Sequence, residues 1–244
     1  MSIRRLFVVS VMVGLIGLSN IAIAEVPYES YSEVPEGTPG GEPTGSTATG
    51  TTQVRALTFY TDRPTFQAAN PGLSLETFAA TLVAADNVLA CPPPFNEFTN
   101  NACFATGGIL PGISVELIDN SADPNNVVLT PAFAGVACVA VGPNTFANDS
   151  HLDFDPAVKA VGFDLLNPFA LQTFNIEIFG PAGPLGTTTA DGDVGGGVFF
   201  GVESDDIGGI TSIVVTHASE GELYCNVEFG GVPVPVELQS FTAE

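Results

Sequence analysis

The stretch HLDFDPAVKAVGFDLLNP (151–168), followed by LQTFNIEIFG (171–180), decides the fold. Read with a period of two, it places its large apolar side chains on one face and most of its acids on the other, as half-buried β-strands do. Asp155-Pro156 and Asn167-Pro168 break the pattern, because proline donates no hydrogen bond to a sheet. The stretch therefore predicts three antiparallel strands at the centre of a β-sandwich. Its predicted inward residues are Leu152, Phe154, Val161, Phe163, Leu165, Phe174, Ile176 and Ile178.

Short strands are also predicted on both sides of this stretch, separated by Gly, Pro, Asn and Asp. They are 56–61, 73–78, 109–117, 127–129, 135–141, 185–189, 198–202, 210–216 and 222–229. A single short helix is predicted at Thr65–Ala69, because Thr61 or Asp62 can cap it and Pro64 suits its first turn. Many short strands with so little helix indicate an all-β protein, a sandwich or a barrel.

The amino terminus has the features of a secretory signal peptide. Two arginines, Arg4 and Arg5, precede an apolar run that ends near Leu18, and the small residues Ala22-Ile23-Ala24 follow. The apolar run is shorter than the roughly 20 residues that span a bilayer, so we expect cleavage after Ala24 rather than a membrane anchor. No later segment is apolar over a spanning length, so we expect no transmembrane anchor in the mature chain.

Composition divides the chain into four parts. Residues 25–53 are rich in Gly, Pro, Ser, Thr and Glu, which predicts a disordered linker because such a segment buries too little apolar surface to fold. We expect a signal peptide at 1–24, the linker at 25–53, the β-sandwich domain at 54–230 and an extended tail at 231–244.

The charge balance excludes one class of partner. The chain has 27 acidic and 5 basic residues, for a formal net charge of −22. Binding of nucleic acid depends on Lys and Arg side chains that neutralise phosphates, so a nucleic-acid partner is not expected.

Four cysteines in an exported chain predict two disulfides, for which three pairings are possible. Cys91 and Cys103 bracket a Pro- and Asn-rich loop, and we expect them to pair across it. Cys138 and Cys225 then form the second bridge, between strand-like segments. A zinc site is disfavoured, because the chain has no C-x-x-C motif.

Residues for covalent catalysis are scarce. The chain has two histidines, His151 and His217, and neither is expected to act as a catalytic base. Ser150 adjoins His151, but neighbours along a strand point to opposite faces. The acids Asp153, Asp155, Asp164 and Glu177 are interpreted, with His151, as the solvent face and turns of a scaffold.

A glycosidase would need two carboxylates that face each other across a cleft. Strand carboxylates that could supply such a pair are Glu76, Glu116, Glu177 and Glu228. The absence of tryptophan lowers the expectation of sugar binding or cleavage.

Calcium is the favoured cofactor, since several acidic loops could supply oxygen ligands. The candidate clusters are Asp191 and Asp193; Glu203, Asp205 and Asp206; and Asp119, Asn120 and Asp123. None completes an EF-hand loop, and turns rich in Asp and Asn have the same composition without a metal.

Several motifs carry a family resemblance, and together they cover most of 57–230. They are FYTDRPTFQAANPGL (59–73), LETF (75–78), NNACFATGGILPGISV (100–115), VGPNTFAND (141–149), LDFDPAVKAVGFDL (152–165) and NVEFG (226–230). They resemble the extracellular domain of bacterial exported proteins of the PEP-CTERM sorting type. The resemblance implies a jelly-roll-like β-sandwich of unknown biochemical role rather than an enzyme. We expect no membrane sorting, because 231–244 has no counterpart of the family's sorting tail.

The resemblance also implies a cation position on the last strand, where related domains often carry Asp-Asn. This chain has Cys225-Asn226 there, so such a site would use Asn226 with Glu76. The expected function is a secreted, non-catalytic binding or matrix module, in the extracellular space or periplasm, for a polysaccharide or a surface protein. The alternative is a protein that binds or cleaves glycans with its strand carboxylates.

Overall fold

The computed structural model describes residues 56–118, 121–217 and 221–232. In these ranges the chain forms two antiparallel β-sheets packed against each other, so the predicted all-β sandwich is confirmed. The predicted signal peptide, linker and most of the tail lie outside the described residues. Within the described ranges, no helix is both long and apolar enough to cross a bilayer.

The larger sheet has eight strands. In sheet order they are β1 (Leu57–Tyr60), β11 (Val198–Ser204), β8 (Ala160–Leu166), β13 (Leu223–Gly230), β6 (Ala140–Pro143), β5 (Asn126–Leu129) and β3 (Val88–Cys91), with β2 (Ser74–Glu76) paired to β13. The smaller sheet has five: β10 (Gly183–Gly192), β9 (Gln172–Gly180), β12 (Ile210–Thr216), β7 (Asp149–Val158) and β4 (Ile113–Ile118). The helix α1 spans Arg63–Ala69, and a 3₁₀ turn spans Phe133–Gly135.

The stretch 151–180 supplies strands to both sheets. All eight of its predicted inward residues are buried, as the alternation requires. One expected boundary is different, since β7 does not end at Asp155-Pro156 but continues to Val158. Pairing with β12 is interrupted between Asp153 and Val158, so the proline breaks the ladder without ending the strand. The chain passes to the other sheet at Lys159, where β8 begins immediately afterwards.

Helix α1 begins where the sequence predicts. The Asp62 carboxylate accepts hydrogen bonds from the backbone N–H of Thr65 (2.9 Å) and from its hydroxyl (2.6 Å), and a proline lies in the first turn. Such a cap contributes about 1 kcal/mol to the stability of a helix.

Two glycines create the space into which α1 packs. Gly162 of β8 lies directly opposite Gly201 of β11, and the Phe66 ring of α1 covers both. A Cβ atom on Gly162 would lie 2.8 Å from the Phe66 ring and 2.9 Å from the Phe199 ring. Phe66 is fully buried there, so the glycine pair fixes the helix on the outer face of the larger sheet.

The disulfide Cys91–Cys103 is confirmed, and the loop that it closes joins the two sheets. Cys91 ends β3 at an edge of the larger sheet, whereas Phe95 pairs with Val115 of β4 at an edge of the smaller sheet. Phe95 and Phe104 are fully buried in the core. The Pro- and Asn-rich segment is therefore a structural part of the core on one side of the sandwich.

The second predicted disulfide, Cys138–Cys225, is also confirmed. It covers a smaller apolar cluster on the outer face of the larger sheet, which includes Leu129, Val136 and Leu223. The strand predicted at 135–141 begins later than expected. The 3₁₀ turn and the segment that carries Cys138 come first, and β6 starts only at Ala140.

We expect Gly162→Ala to lower the free energy of unfolding by about 1–3 kcal/mol, because the added methyl group overpacks the space filled by Phe66. Urea denaturation of the purified domain measures the change. Gly196→Ala is the matched control, since a Cβ atom at Gly196 has no neighbour within 4 Å. Equal stability of the two variants would contradict this account of the glycine pair.

Candidate functional site

The structure does not bring Glu76 and Asn226 to a common cation site. Glu76 pairs with Val227 in the register of β2 and β13, and its buried carboxylate accepts the backbone N–H groups of Phe78 and Leu110. The Asn226 side chain instead donates to Asp164 Oδ2 at 2.8 Å.

A guanidinium group provides the positive charge beside Asn226. Arg63 Nη2 lies 3.0 Å from Asp164 Oδ1 and donates to the Asn226 carbonyl at 3.2 Å, while Nη1 contacts Glu228. The Arg63 guanidinium also lies over the Phe199 ring, 4.7 Å from its centroid. These contacts attach α1 to the sheet.

The other candidate calcium ligands mostly make hydrogen bonds of local turns and neighbouring strands. Asp191 accepts from the Thr173 hydroxyl at 2.6 Å, and Asp193 accepts from the Val194 N–H at 2.8 Å. Asp123 accepts from Asn144 at 2.5 Å and from Asn125 at 2.7 Å, and these amides lower the pKa of its carboxyl group.

In the cluster of Glu203, Asp205 and Asp206, the Glu203 carboxylate accepts hydrogen bonds from Lys159 at 2.6 Å and from Tyr60 at 2.9 Å. Asp205 and Asp206 accept backbone N–H groups at 2.7 and 2.8 Å. Asp119 and Asn120 lie outside the described residues. Among the residues that are described, no three His, Cys, Asp or Glu side chains form a group that could hold a metal. Calcium binding stays a prediction.

The four strand carboxylates do not form a pair across a cleft. Glu116 and Glu177 lie on β4 and β9 of the smaller sheet, with two strands between them, so their backbones are about 14 Å apart. Glu76 and Glu228 lie on the larger sheet, and they point to opposite faces: Glu76 is opposite the core residue Val227, and Glu228 is opposite the exposed Leu75.

A groove of about 220 Å³ lies between the disulfide-closed loop and the smaller sheet. Its residues come from the loop, from the start of β4 and from β7. They are Asn96, Glu97, Phe98, Gly112, Ile113, Ser114, Asp153, Phe154 and Asp155. The groove therefore combines three carboxylates, an amide and a hydroxyl with an aromatic ring.

Phe98 is the most exposed aromatic residue of the groove, with 76% of its surface accessible. Hydrogen bonds of the loop hold the backbone that carries it: the Asn96 side chain accepts the Phe98 N–H at 3.0 Å, and Thr99 Oγ1 accepts the Asn96 N–H at 2.8 Å. The pairing of Phe95 with Val115 attaches the same loop to β4. A constrained loop loses little backbone entropy when the ring that it carries binds a ligand.

His151 and Asp153 lie beside each other on the outer face of β7, next to Glu116 and Ser114 of β4. His151 Nδ1 is 2.9 Å from Asp153 Oδ1, and this hydrogen bond together with the charges of Asp153 and Glu116 raises the pKa of His151 despite partial burial. Ser114 Oγ donates to Glu116 at 2.6 Å rather than to His151. The set is therefore a polar surface in which His151 does not activate Ser114.

Ser150 and His217, which were also considered for catalysis, contact other residues. Ser150 is buried and contacts Glu222 and Tyr224, as expected from its opposite orientation to His151. His217 follows β12, with its Nε2 atom 2.6 Å from Gln172 Nε2 and its ring against Phe174.

Sequence reasoning did not identify the groove. It interpreted Asp153 and Asp155 as scaffold residues and assigned the Pro- and Asn-rich loop no role beyond the disulfide that closes it. One signal was present, since the loop between the two paired cysteines contains two large apolar residues, Phe95 and Phe98, and Asn96 and Thr99 beside Phe98 favour a tight turn. The contact with β7 depends on long-range packing that local sequence does not encode.

Comparison of the chain with known protein families finds no match, and comparison with curated proteins also finds none. The resemblance to the PEP-CTERM-type domain stays a prediction that rests on the motifs.

We expect proton NMR titration to show a His151 pKa above the ordinary value of about 6.5, and Asp153→Asn to lower it. Because the folded pKa is raised, the stabilisation from this pair is complete below the unfolded pKa and is lost as the pH rises through the folded pKa. The His217 resonance provides an internal control, since Asp153 is not its partner. A His151 pKa unchanged by Asp153→Asn would contradict the assigned interaction.

Proposed function

We propose that this protein is a secreted, non-catalytic binding module that holds a neutral polysaccharide in the groove beside Phe98. The observation that carries the proposal is the exposed ring of Phe98, carried by a constrained loop, in a groove that also presents the polar side chains of Asn96, Glu97, Ser114, Asp153 and Asp155. Binding sites commonly combine an apolar surface with a few polar groups that orient the ligand. Sugar rings offer both an apolar face and hydroxyl groups.

Charge supports a neutral ligand over an anionic one. The groove carries Glu97, Asp153 and Asp155, which accept hydrogen bonds from hydroxyl groups but repel carboxylates and sulfates. The described lysine and arginine, Lys159 and Arg63, form ion pairs with acids of the larger sheet. Neither residue lines the groove.

Two disulfides support export, because such bonds persist in oxidising compartments. The separation of Glu116 from Glu177, and the opposite orientations of Glu76 and Glu228, favour binding over the glycan cleavage considered from sequence. The candidate calcium ligands Glu76, Asn226, Asp191 and Asp193 do not line the groove, so the proposed binding does not involve calcium.

Affinity electrophoresis and depletion assays with the mature chain test the function on neutral α-glucans, β-glucans and chitin, with alginate as an anionic comparison. We expect retention by at least one neutral polymer and none by alginate. Release of reducing ends by the protein would show catalysis and would contradict the non-catalytic assignment.

We expect Phe98→Ala to weaken binding by at least about tenfold, which corresponds to about 1.4 kcal/mol. Phe169→Ala is a matched control, because Phe169 is also an exposed phenylalanine, at 64%, and lines a separate cleft. Asp153→Asn should weaken binding while the fold is retained, as circular dichroism would show. If the polysaccharide binds Phe98→Ala as tightly as it binds the unchanged protein, the groove is not the binding site.

A further inference from the structure

The outer strand β3 leaves one edge of the larger sheet open. In the described part of the chain, β3 pairs with β5 on one side and has no strand on the other. The Thr130 N–H donates to the Asn87 carbonyl at 3.0 Å, and this bonding alternates along an antiparallel pair, so Leu89, two positions later, also bonds to β5. The backbone N–H and carbonyl groups of Val88 and Ala90 therefore point outward, away from the sheet.

The side chains at this edge are apolar and exposed. Val88 and Leu89 have 41% and 38% of their surface accessible, and Ala90 is also exposed. Proteins commonly protect an open edge with a charged residue, a proline or a bulge, because its outward backbone groups can pair with another strand. Residues 88–90 contain no charge and no proline, and their register with β5 is regular. This edge is therefore suited to strand addition.

An apolar cleft lies on the outer face of the sheet beside β3. Its volume is about 140 Å³, and Val88 lines it together with Leu129, which lies opposite on β5. Phe146 and Phe169 form another part of its lining, with ring centroids 5.1 Å apart, and they are 47% and 64% exposed. The exposed apolar surface thus continues from the edge strand onto the face of the sheet.

Charge favours a second copy of this chain as the occupant of the edge. With a formal net charge of −22, two copies repel each other wherever their acidic surfaces meet. Neither residues 88–90 nor the residues that line the cleft include a charged side chain. Two copies can therefore approach each other at this edge without bringing carboxylates into contact.

We propose that two copies of this chain form a symmetric dimer by antiparallel pairing of their β3 strands, which joins the two larger sheets into one. With Leu89 on the two-fold axis, Val88 of each copy lies opposite Ala90 of the other. This register uses every outward backbone group of Val88 and Ala90 and forms four hydrogen bonds across the axis. Such an interface is self-complementary, as two-fold symmetry requires.

The same register buries apolar side chains and separates the nearest acids. The two Leu89 residues form a close pair across the axis, and Val88 packs against Ala90 of the other copy. Asp86 lies opposite Pro92, so the two Asp86 residues are roughly 20 Å apart along the paired strands. The dimer is independent of the sugar groove and does not rest on the proposed function.

Sedimentation velocity of the mature chain tests the dimer, at concentrations up to about 500 µM. The buffer should contain about 0.15 M salt, which screens the repulsion between the two acidic chains. We expect a reversible equilibrium between one chain and two. A chain that remains monomeric over the whole range would overturn the proposal.

Two variants locate the interface. Ala90→Pro removes an outward N–H from each copy, and so two of the four hydrogen bonds, but no bond to β5; we expect at least about tenfold weaker dimerisation and an unchanged circular dichroism spectrum. Leu89→Lys places like charges opposite each other and should abolish the dimer. Leu75→Lys, on β2 of the same sheet and 48% exposed, is the matched control and should dimerise normally. If Ala90→Pro and Leu89→Lys dimerise as tightly as the unchanged chain, the interface lies elsewhere and the proposal is wrong.

Leu89→Cys tests the register and changes the fold least. Residues opposite each other in such a close pair have Cα atoms about 4.5 Å apart, within the range that a disulfide bridges. Mild oxidation should therefore give a covalent dimer on a non-reducing gel, whereas Leu75→Cys should not cross-link. A dimer in solution whose Leu89→Cys variant fails to cross-link would contradict pairing through β3.

Discussion

Burial of the inward faces of β7 and β8 in one apolar core is the interaction on which the rest of the structure depends. Leu152 and Phe154 belong to the smaller sheet, whereas Phe163 and Leu165 belong to the larger one, and all four are buried in one core. A single residue, Lys159, separates the two strands. Because the chain passes between sheets so abruptly, packing of one strand determines the position of the other.

Local patterns predict much of this fold. Alternation identifies the inward residues of β7, β8 and β9, and the Asp62 cap with Pro64 identifies α1. The disulfide pairings also follow from spacing, because a short loop between Cys91 and Cys103 leaves a single remaining pair. Each of these features depends on residues close in the sequence or on the small number of possible pairings.

Features that depend on distant contacts are not predictable in this way. The burial of Phe95 and Phe104 depends on the attachment of the cysteine loop to β4, which no local pattern records. Ser150 and Glu222 come together through packing of the two sheets, although 72 positions separate them in the chain. The acidic loops resemble cation sites in composition, but Asp191, Asp193 and Asp206 accept hydrogen bonds from local turns and neighbouring strands.

Pairing of Phe95 with Val115 has a further consequence for self-association. β4 is the outer strand of the smaller sheet, and an open outer strand presents backbone groups to which another chain can add. The backbone N–H and carbonyl groups of Val115 are both used by Phe95, at 2.9 and 3.0 Å. The loop that displays Phe98 thus also hinders strand addition at this edge, which limits aggregation through this sheet.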